Sequence, residues 1–340
     1  MGDFFVDKSI LITGACGTIG SGLIQELLLE KYKIKKIIAL DNNENSTFYN
    51  DALHIKDHRI EYFVADISQY ENISKYFLGV DLVIHAAAMK HVGMCEASPE
   101  SAATVNINGT LNVIKACKQF SVSKCIFTSS DKAVNPTNTM GATKLIGEKM
   151  IISSNINSPT QFSCTRFGNV IGSNGSVLNV FRKQRDNNLP YSITNVGMTR
   201  FLMSKSQAVN LILEALENTL GGEIFVSKMD AFNIVDLATA FHLSGNKGNK
   251  VSEFNYEVIG SKPGEKLYEE LFTYDELERT FDLGSMYVVL PNLLERYCDF
   301  NKLKSYFTGN LASVEPDSRT SPKLTVGEIS EILANLNALN

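Results

Sequence analysis

Through the first half of the chain, solid apolar runs of strand length alternate with stretches of helical period. "SILITG" (Ser9–Gly14), "IKKIIALD" (Ile34–Asp41), "IEYFVADI" (Ile60–Ile67), "VDLVIHAAA" (Val80–Ala88), "SKCIFTSS" (Ser123–Ser130) and "QFSCTRFGNV" (Gln161–Val170) read as strands. Between them, "TIGSGLIQELLLEKY" repeats apolar positions at Ile19, Leu23, Leu27 and Leu28, and "ATVNINGTLNVIKACKQF" and "GATKLIGEKMIISSN" read as further helices. Strands without polar alternation are buried on both faces, and helical crossovers between them make a parallel sheet. The pattern predicts an α/β, doubly wound (Rossmann) fold. After Val170 it loosens into "GSNGSVLNVFRKQRDNNLPYSITN", a helix "SKSQAVNLILEALENTL", and short elements up to a last helix "TVGEISEILANLNAL". The expected organisation is a dinucleotide-binding domain over 1–170, with parts of 205–260 completing the sheet. A smaller, interleaved α/β substrate lobe is expected over 171–340.

Composition narrows the class little but excludes some functions. The 340 residues are 44% hydrophobic and 20% charged, with a net charge of −5. A nucleic-acid partner is disfavoured because no basic footprint is present. No apolar run approaches the ~18 residues that cross a bilayer, and Asp3 and Asp7 argue against a secretory leader. The cysteines (Cys16, Cys95, Cys117, Cys125, Cys164, Cys298) have neither C-x-x-C pairing nor histidines at metal spacing. Reduced thiols, a cytoplasmic location and no metal are expected.

"ITGACGTIG" sets Gly14, Gly17 and Gly20 between the first strand and the first helix. Glycines there let backbone approach a pyrophosphate resting on the helix N-terminus, so a dinucleotide site is predicted. Asp41 ends the second strand, where a carboxylate bonds an adenosine ribose and repels a 2′-phosphate. The next cation after it is Lys56, so NAD is favoured over NADP. Asp66, ending the third strand, is a candidate for the adenine or a cap for the following helix.

The candidate chemistry lies in "SSDKAVNPTNTMGATK" (Ser129–Lys144), at a strand end running into a helix. Asp131 and Lys132 are an acid–base pair whose neighbouring charges set each other's protonation. Lys144 is placed to reach a nicotinamide ribose. Met140 stands where a redox Tyr would precede Lys144, and a thioether neither gives nor takes a proton.

Together with "TGACGTIG", "HAAAMKHVGMCE" (His85–Glu96), "TRFGNVIGSNGSV" (Thr165–Val177), "MTRFLMS" (Met198–Ser204) and "KPGEKLYEEL" (Lys262–Leu271), this stretch resembles the CapD-type polysaccharide-biosynthesis branch of the extended short-chain dehydrogenases. These are nucleotide-sugar 4,6-dehydratases. The resemblance covers almost the entire chain and is to the short, soluble members that carry Met rather than Tyr. It implies an internal redox cycle. Hydride leaves carbon 4 of the hexose for NAD, carbon 5 loses a proton, the carbon 6 hydroxyl leaves as water, and hydride returns to carbon 6.

In that cycle Asp131 is expected to be the acid for the leaving water and Lys132 the base at carbon 5, its pKa lowered by desolvation. Ser130 or Asp131 would handle the carbon 4 proton. The cofactor set implied is Gly14, Gly17, Thr18 and Ile19 at the turn, with Asp41, Asp66 and Ile67 toward the adenosine. Ala86, Ala87, Lys90, Asn106 and Lys144 complete it. A UDP-N-acetylglucosamine substrate implies Lys90, His91 and Glu96 on the sugar side, and Asn169 and Arg200 at the pyrophosphate or sugar. Ser176 and Val177 would lie by the base, with Lys262 and Glu265 near the uridine. Arg166 is the alternative phosphate arginine or a residue of the fold. Asn174 and Lys262 stand where relatives often carry Arg. A UDP-sugar partner and a homo-oligomer are expected. A nucleotide-sugar 4-epimerase and a non-catalytic binding protein are the competing readings.

Overall fold

The computed structural model describes residues 2–173, 175–245, 254–291, 307, 309–313 and 316–338. Asn174 and Cys298 therefore lie outside the described residues.

The first strands are β1 (Ser9–Thr13), β2 (Lys36–Asp41), β3 (Ile60–Val64), β4 (Leu82–His85), β5 (Lys124–Thr128) and β6 (Gln161–Arg166). Next come β7 (Asn169–Val170), β8 (Tyr191–Ile193), β9 (Thr199–Met203), β10 (Ile224–Ser227) and β11 (Asp230–Asn233). Four short strands follow: β12 (Tyr256–Val258), β13 (Thr280–Asp282), β14 (Met286–Val289) and β15 (Asn310–Leu311). The main sheet runs β15-β13-β14-β10-β6-β5-β4-β1-β2-β3, parallel from β3 to β10 and antiparallel beyond. Strand reversal around β1 and β4 makes this a doubly wound sheet, as the solid apolar runs predicted.

Alternate side chains of each strand feed opposite faces. Ile10, Ile12, Ile37, Ala39 and Ile84 join one core with the helices Thr18–Leu27 and Lys205–Asn218. Leu11, Ile38, Leu40, Val83 and Phe127 join the other, with the helices Gly109–Gln119 and Thr139–Ser153. A third core, including Phe181, Ile193, Leu202, Phe241 and Leu333, supports the smaller lobe, where β11-β9-β7 form a separate sheet.

Three differences from the sequence reading matter for the site. The main sheet takes β13, β14 and β15 as well as β10, so residues beyond 205–260 complete it. Those strands are too short for their periodicity to stand out. The run Gln161–Val170 is not one strand: it breaks at Phe167–Gly168, and β7 leaves to pair with β9. A Cβ at Gly168 would lie 2.8 Å from Phe201 Cβ, so only glycine fits the break. Finally, Thr104–Asn108 forms a π-helical turn ahead of the helix Gly109–Gln119. Such turns often mark functional sites, and this one carries Asn106. No described helix is long and apolar enough to cross a membrane.

Candidate active site

The cofactor end is built on β1, β2 and β4. Gly14 has φ +69°, and a Cβ there would sit 2.7 Å from the Ala87 nitrogen. Gly17 N donates to Gly14 O at 3.0 Å, and the missing side chain of Gly20 leaves room for the same carbonyl. Thr18 and Ile19 open the helix behind this turn. Asp41 ends β2 and braces the turn, because Oδ2 accepts from Cys16 N at 2.9 Å and Oδ1 from Asn43 N at 3.0 Å. A glycine cradle with a carboxylate at the next strand end fits an adenine dinucleotide with a free ribose. Ala86 N and Ala87 N are tied to Thr13 through its carbonyl and hydroxyl, which fixes the β4 edge beside the turn. Asp66 Oδ1 accepts from Ser68 N at 2.9 Å, a local turn bond, and Ile67 is buried against Gly109.

Asn106 is held by three bonds to its neighbours. Its oxygen accepts from Met89 N at 2.8 Å and its amide donates to Met89 O and Thr143 Oγ1. Asn106 thereby ties the loop after β4 to the Lys144 helix. Lys144 itself is buried, donates to Thr128 O at 2.7 Å and lies 4.5 Å from the Phe127 ring centroid. Burial pulls its ammonium down to about 8.

The proton centre follows β5. Ser130 caps a short 3-10 turn, Asp131–Ala133, and its hydroxyl donates to Asp131 Oδ1 at 2.8 Å. Lys132 Nζ donates to the same Oδ1 at 3.1 Å and to Glu269 Oε1 at 2.7 Å. Asp131 and Glu269 are both buried. Burial, reinforced by the Glu269 charge, pushes the Asp131 carboxyl up to about 7, which suits a proton donor near neutrality. The expected lowering of Lys132 is not what the site produces. Burial does pull its ammonium down, but Asp131 and Glu269 outweigh it and hold Lys132 above the usual lysine range.

Glu269 is the functional residue that sequence reasoning missed. Within "EKLYEEL" it is one carboxylate among several, 137 residues from Lys132. Asn169 is redirected for the same reason. Its amide donates to Glu269 Oε2 at 2.9 Å and to Phe201 O, and its oxygen accepts from Lys132 Nζ at 3.4 Å. These bonds place it in the proton centre. Arg200 is likewise engaged, with Nε 3.3 Å from Glu269 Oε1, Nη2 3.9 Å from Glu265 Oε1, and bonds to the carbonyls of Thr199, Lys266 and Leu267. Arg166 is fully buried between Glu148 and Glu276, at 2.7 and 2.9 Å, and so serves the fold.

Met140 is buried in a small cluster with Cys95 and Ala102, flanked by Met89 and Val92. It supplies packing where a Tyr would supply a hydroxyl. Several loops are tied together nearby. Glu96, expected on the sugar side, instead accepts from Thr139 N at 2.6 Å at the start of the Lys144 helix. Asn138 donates to Gly264 O, and Lys266 Nζ to Val134 O. Gly175 (φ +71°) packs on the His91 ring, and a Cβ would collide with it. Ser176 Oγ is buried without a partner beside Val177, the first residue of a helix. Lys90 and Lys262 are exposed, and Lys262 N donates to Glu265 Oε2 at 3.1 Å. Among the described residues the cysteines are free and no group of side chains could hold a metal ion.

Residues 10–291 match the family described as "Polysaccharide biosynthesis protein". The chain is 38% identical to a UDP-N-acetylglucosamine 4,6-dehydratase (inverting) of Campylobacter jejuni, with 87% of each chain covered. It is 37% identical to a UDP-glucose 4-epimerase of Rickettsia bellii, covering 98% of this chain and 97% of that one. The X-ray structure of Pen from Bacillus thuringiensis superposes with a TM-score of 0.89 at 36% identity, over 98% of both chains. A match across the glycine turn, the proton centre and the closing loops alike shows that the chain belongs to the polysaccharide biosynthesis protein family.

Proposed function

We propose that this protein is an NAD-dependent UDP-N-acetylglucosamine 4,6-dehydratase. One observation carries the reading: a buried carboxyl, Asp131, takes bonds from Ser130 and Lys132 on the sheet edge that also bears the dinucleotide cradle. Bound NAD would supply the acceptor and later donor of hydride, held by the Gly14–Gly17 turn, Asp41 and Lys144. The chain's own residues handle protons. Ser130 would bond the carbon 4 hydroxyl. Asp131 would give its proton to the carbon 6 hydroxyl as the C–O bond breaks and water departs. Lys132 would stand at carbon 5, where only its neutral form could take the proton, and the free site holds it as an ammonium. Over the cycle, the proton lost from the carbon 4 hydroxyl balances the one leaving with water. Arg200 and Glu265, with Lys262, Ser176 and Val177, would line the nucleotide end, and Lys90 and His91 the sugar end.

A 4-epimerase is the second reading. The full-length likeness to a UDP-glucose 4-epimerase favours it, as does a Lys132 locked as an ammonium, because epimerisation requires no elimination base. Incubation of the purified protein with NAD and UDP-N-acetylglucosamine or UDP-glucose, followed by mass spectrometry, separates the two. Loss of one water without added reductant is expected for the dehydratase, and an isomass product for the epimerase. No conversion of either donor overturns both. The reading carries with it a homo-oligomer, supported by exposed Leu111 and Ile146 on the helices flanking the site. It also carries a cytoplasmic location, supported by the free thiols.

A further inference from the structure

Two carboxyl groups share one ammonium in this site, and they are not equivalent. Glu269 is 2% exposed at its side chain and has a donor on each oxygen. Its Oε1 receives Lys132 Nζ and lies 3.3 Å from Arg200 Nε, and its Oε2 receives Asn169 Nδ2. Its backbone nitrogen is anchored on Ser318 Oγ at 2.9 Å, which fixes the residue in place. Asp131 is wholly buried and asymmetric. Oδ1 accepts from Ser130 and Lys132, while Oδ2 receives no donor at all. Gly168 closes over that oxygen, so closely that a Cβ there would stand 3.1 Å from it. A buried anionic oxygen without a donor is costly; one that carries a proton can instead donate to the neighbouring carboxylate.

We propose that Asp131 and Glu269 form a carboxylic acid–carboxylate pair, with Glu269 the ionised, positioning member that keeps the proton on Asp131. The charged groups facing the pair are Lys132 from the same turn and Arg200 from β9; Ser130 and Asn169 are neutral. Glu269 is also the hydrogen-bonding neighbour that raises Asp131 after burial has done so. Burial pushes Glu269 up as well, but Lys132, the bond with Asp131 and Arg200 hold it down at about 2. Like charges so close do not both ionise readily, and the better-solvated member takes the charge. The purpose of the pair rests on the dehydratase reading: it delivers an acid at neutral pH, whose O–H breaks as the new O–H of water forms. Its existence does not rest on that reading.

The test is a side-chain carboxyl titration by 13C NMR on Asp-labelled protein, with Asp131→Asn identifying the signal. In the wild type Asp131 is expected to titrate near pH 7, against about 4 for an ordinary aspartate. Glu269→Gln is expected to move that midpoint down by about one pH unit or more, and Glu269→Asp to keep it raised. A wild-type midpoint in the ordinary range, or one unmoved by Glu269→Gln, overturns the proposal. If Glu269→Gln does not fold, the wild type and Glu269→Asp decide it. In turnover, the same Gln variant is expected to shift the high-pH fall of kcat to lower pH while KM stays within about threefold. Absence of turnover in the wild type would count against the dehydratase reading alone, because the titration stays readable.

Discussion

The α-carbon of Gly141 rests against the carbonyl oxygen of Lys132, with no room for a Cβ between them. This contact docks the first turn of the helix Thr139–Ser153 onto the turn Asp131–Ala133. It sets Lys144 in fixed relation to the acid–base pair. Helix propensity alone would reward Gly141→Ala by about 1 kcal/mol. The contact predicts the reverse: a lower melting temperature and at least a tenfold loss of kcat. A more stable Ala variant with full turnover would show that the docking is not needed.

Met140 is expected to tolerate Leu. The position is 4% exposed and packs on Cys95 and Ala102. A volume-conserving exchange should cost less than about 1.5 kcal/mol and leave kcat nearly unchanged. Met140→Tyr should cost about 1–3 kcal/mol through overpacking and give no gain in rate. Chemical denaturation and single-substrate kinetics on both variants check this.

Arg166 is expected to matter for folding and not for nucleotide binding. Its guanidinium is bonded to Glu148, Glu276 and the Leu271 carbonyl, all in the interior. Arg166→Leu strands two buried carboxylates and should destabilise by about 3–5 kcal/mol. Urea midpoints compared with an Arg200→Leu variant would separate a structural arginine from one near the site.

Acid should weaken the fold through His85 before the ordinary carboxylates titrate. Its ring bridges the Thr13 and Thr110 hydroxyls, and burial, helped by Lys144, holds it at about 3 against an ordinary 6.5. Between those values the unfolded chain binds the extra proton, so stability falls as pH drops from about 6.5 toward 3. Asp131 acts in the opposite sense. Its folded pKa of about 7 exceeds the ordinary 3.8, so from this group alone stability declines as pH rises through that window. Melting temperatures of the wild type and Asp131→Asn across pH 4–8 should therefore diverge in favour of the variant at the high end.

Loss of the acid should be visible in the rate. Asp131→Asn keeps the shape of the turn but cannot give a proton, and a drop in kcat of about 10²–10⁴ is expected with little change in NAD affinity. Rapid-quench turnover alongside cofactor titration checks the split.

How much of this was legible in the sequence can be argued from particular residues. Gly14, Gly17 and Asp41 were readable because their roles depend on local backbone: a strand, a tight turn and the next strand end. Asp131 and Lys132 were readable as a pair because they are adjacent in the chain. Their proton states were not, because burial and long-range charge set them. Lys132 was expected to lose its proton easily, yet Glu269 arrives from 137 residues away and keeps it charged. Asn169 and Arg200 read as pyrophosphate or sugar contacts by type and motif, and their bonds to Glu269 were not readable, because the break at Gly168 and the fold of β9 create them. Local periodicity and turn chemistry decide which elements form and where a cofactor can rest. Only packing decides which charges meet inside a low-dielectric site, and there a few ångströms determine which group holds the proton.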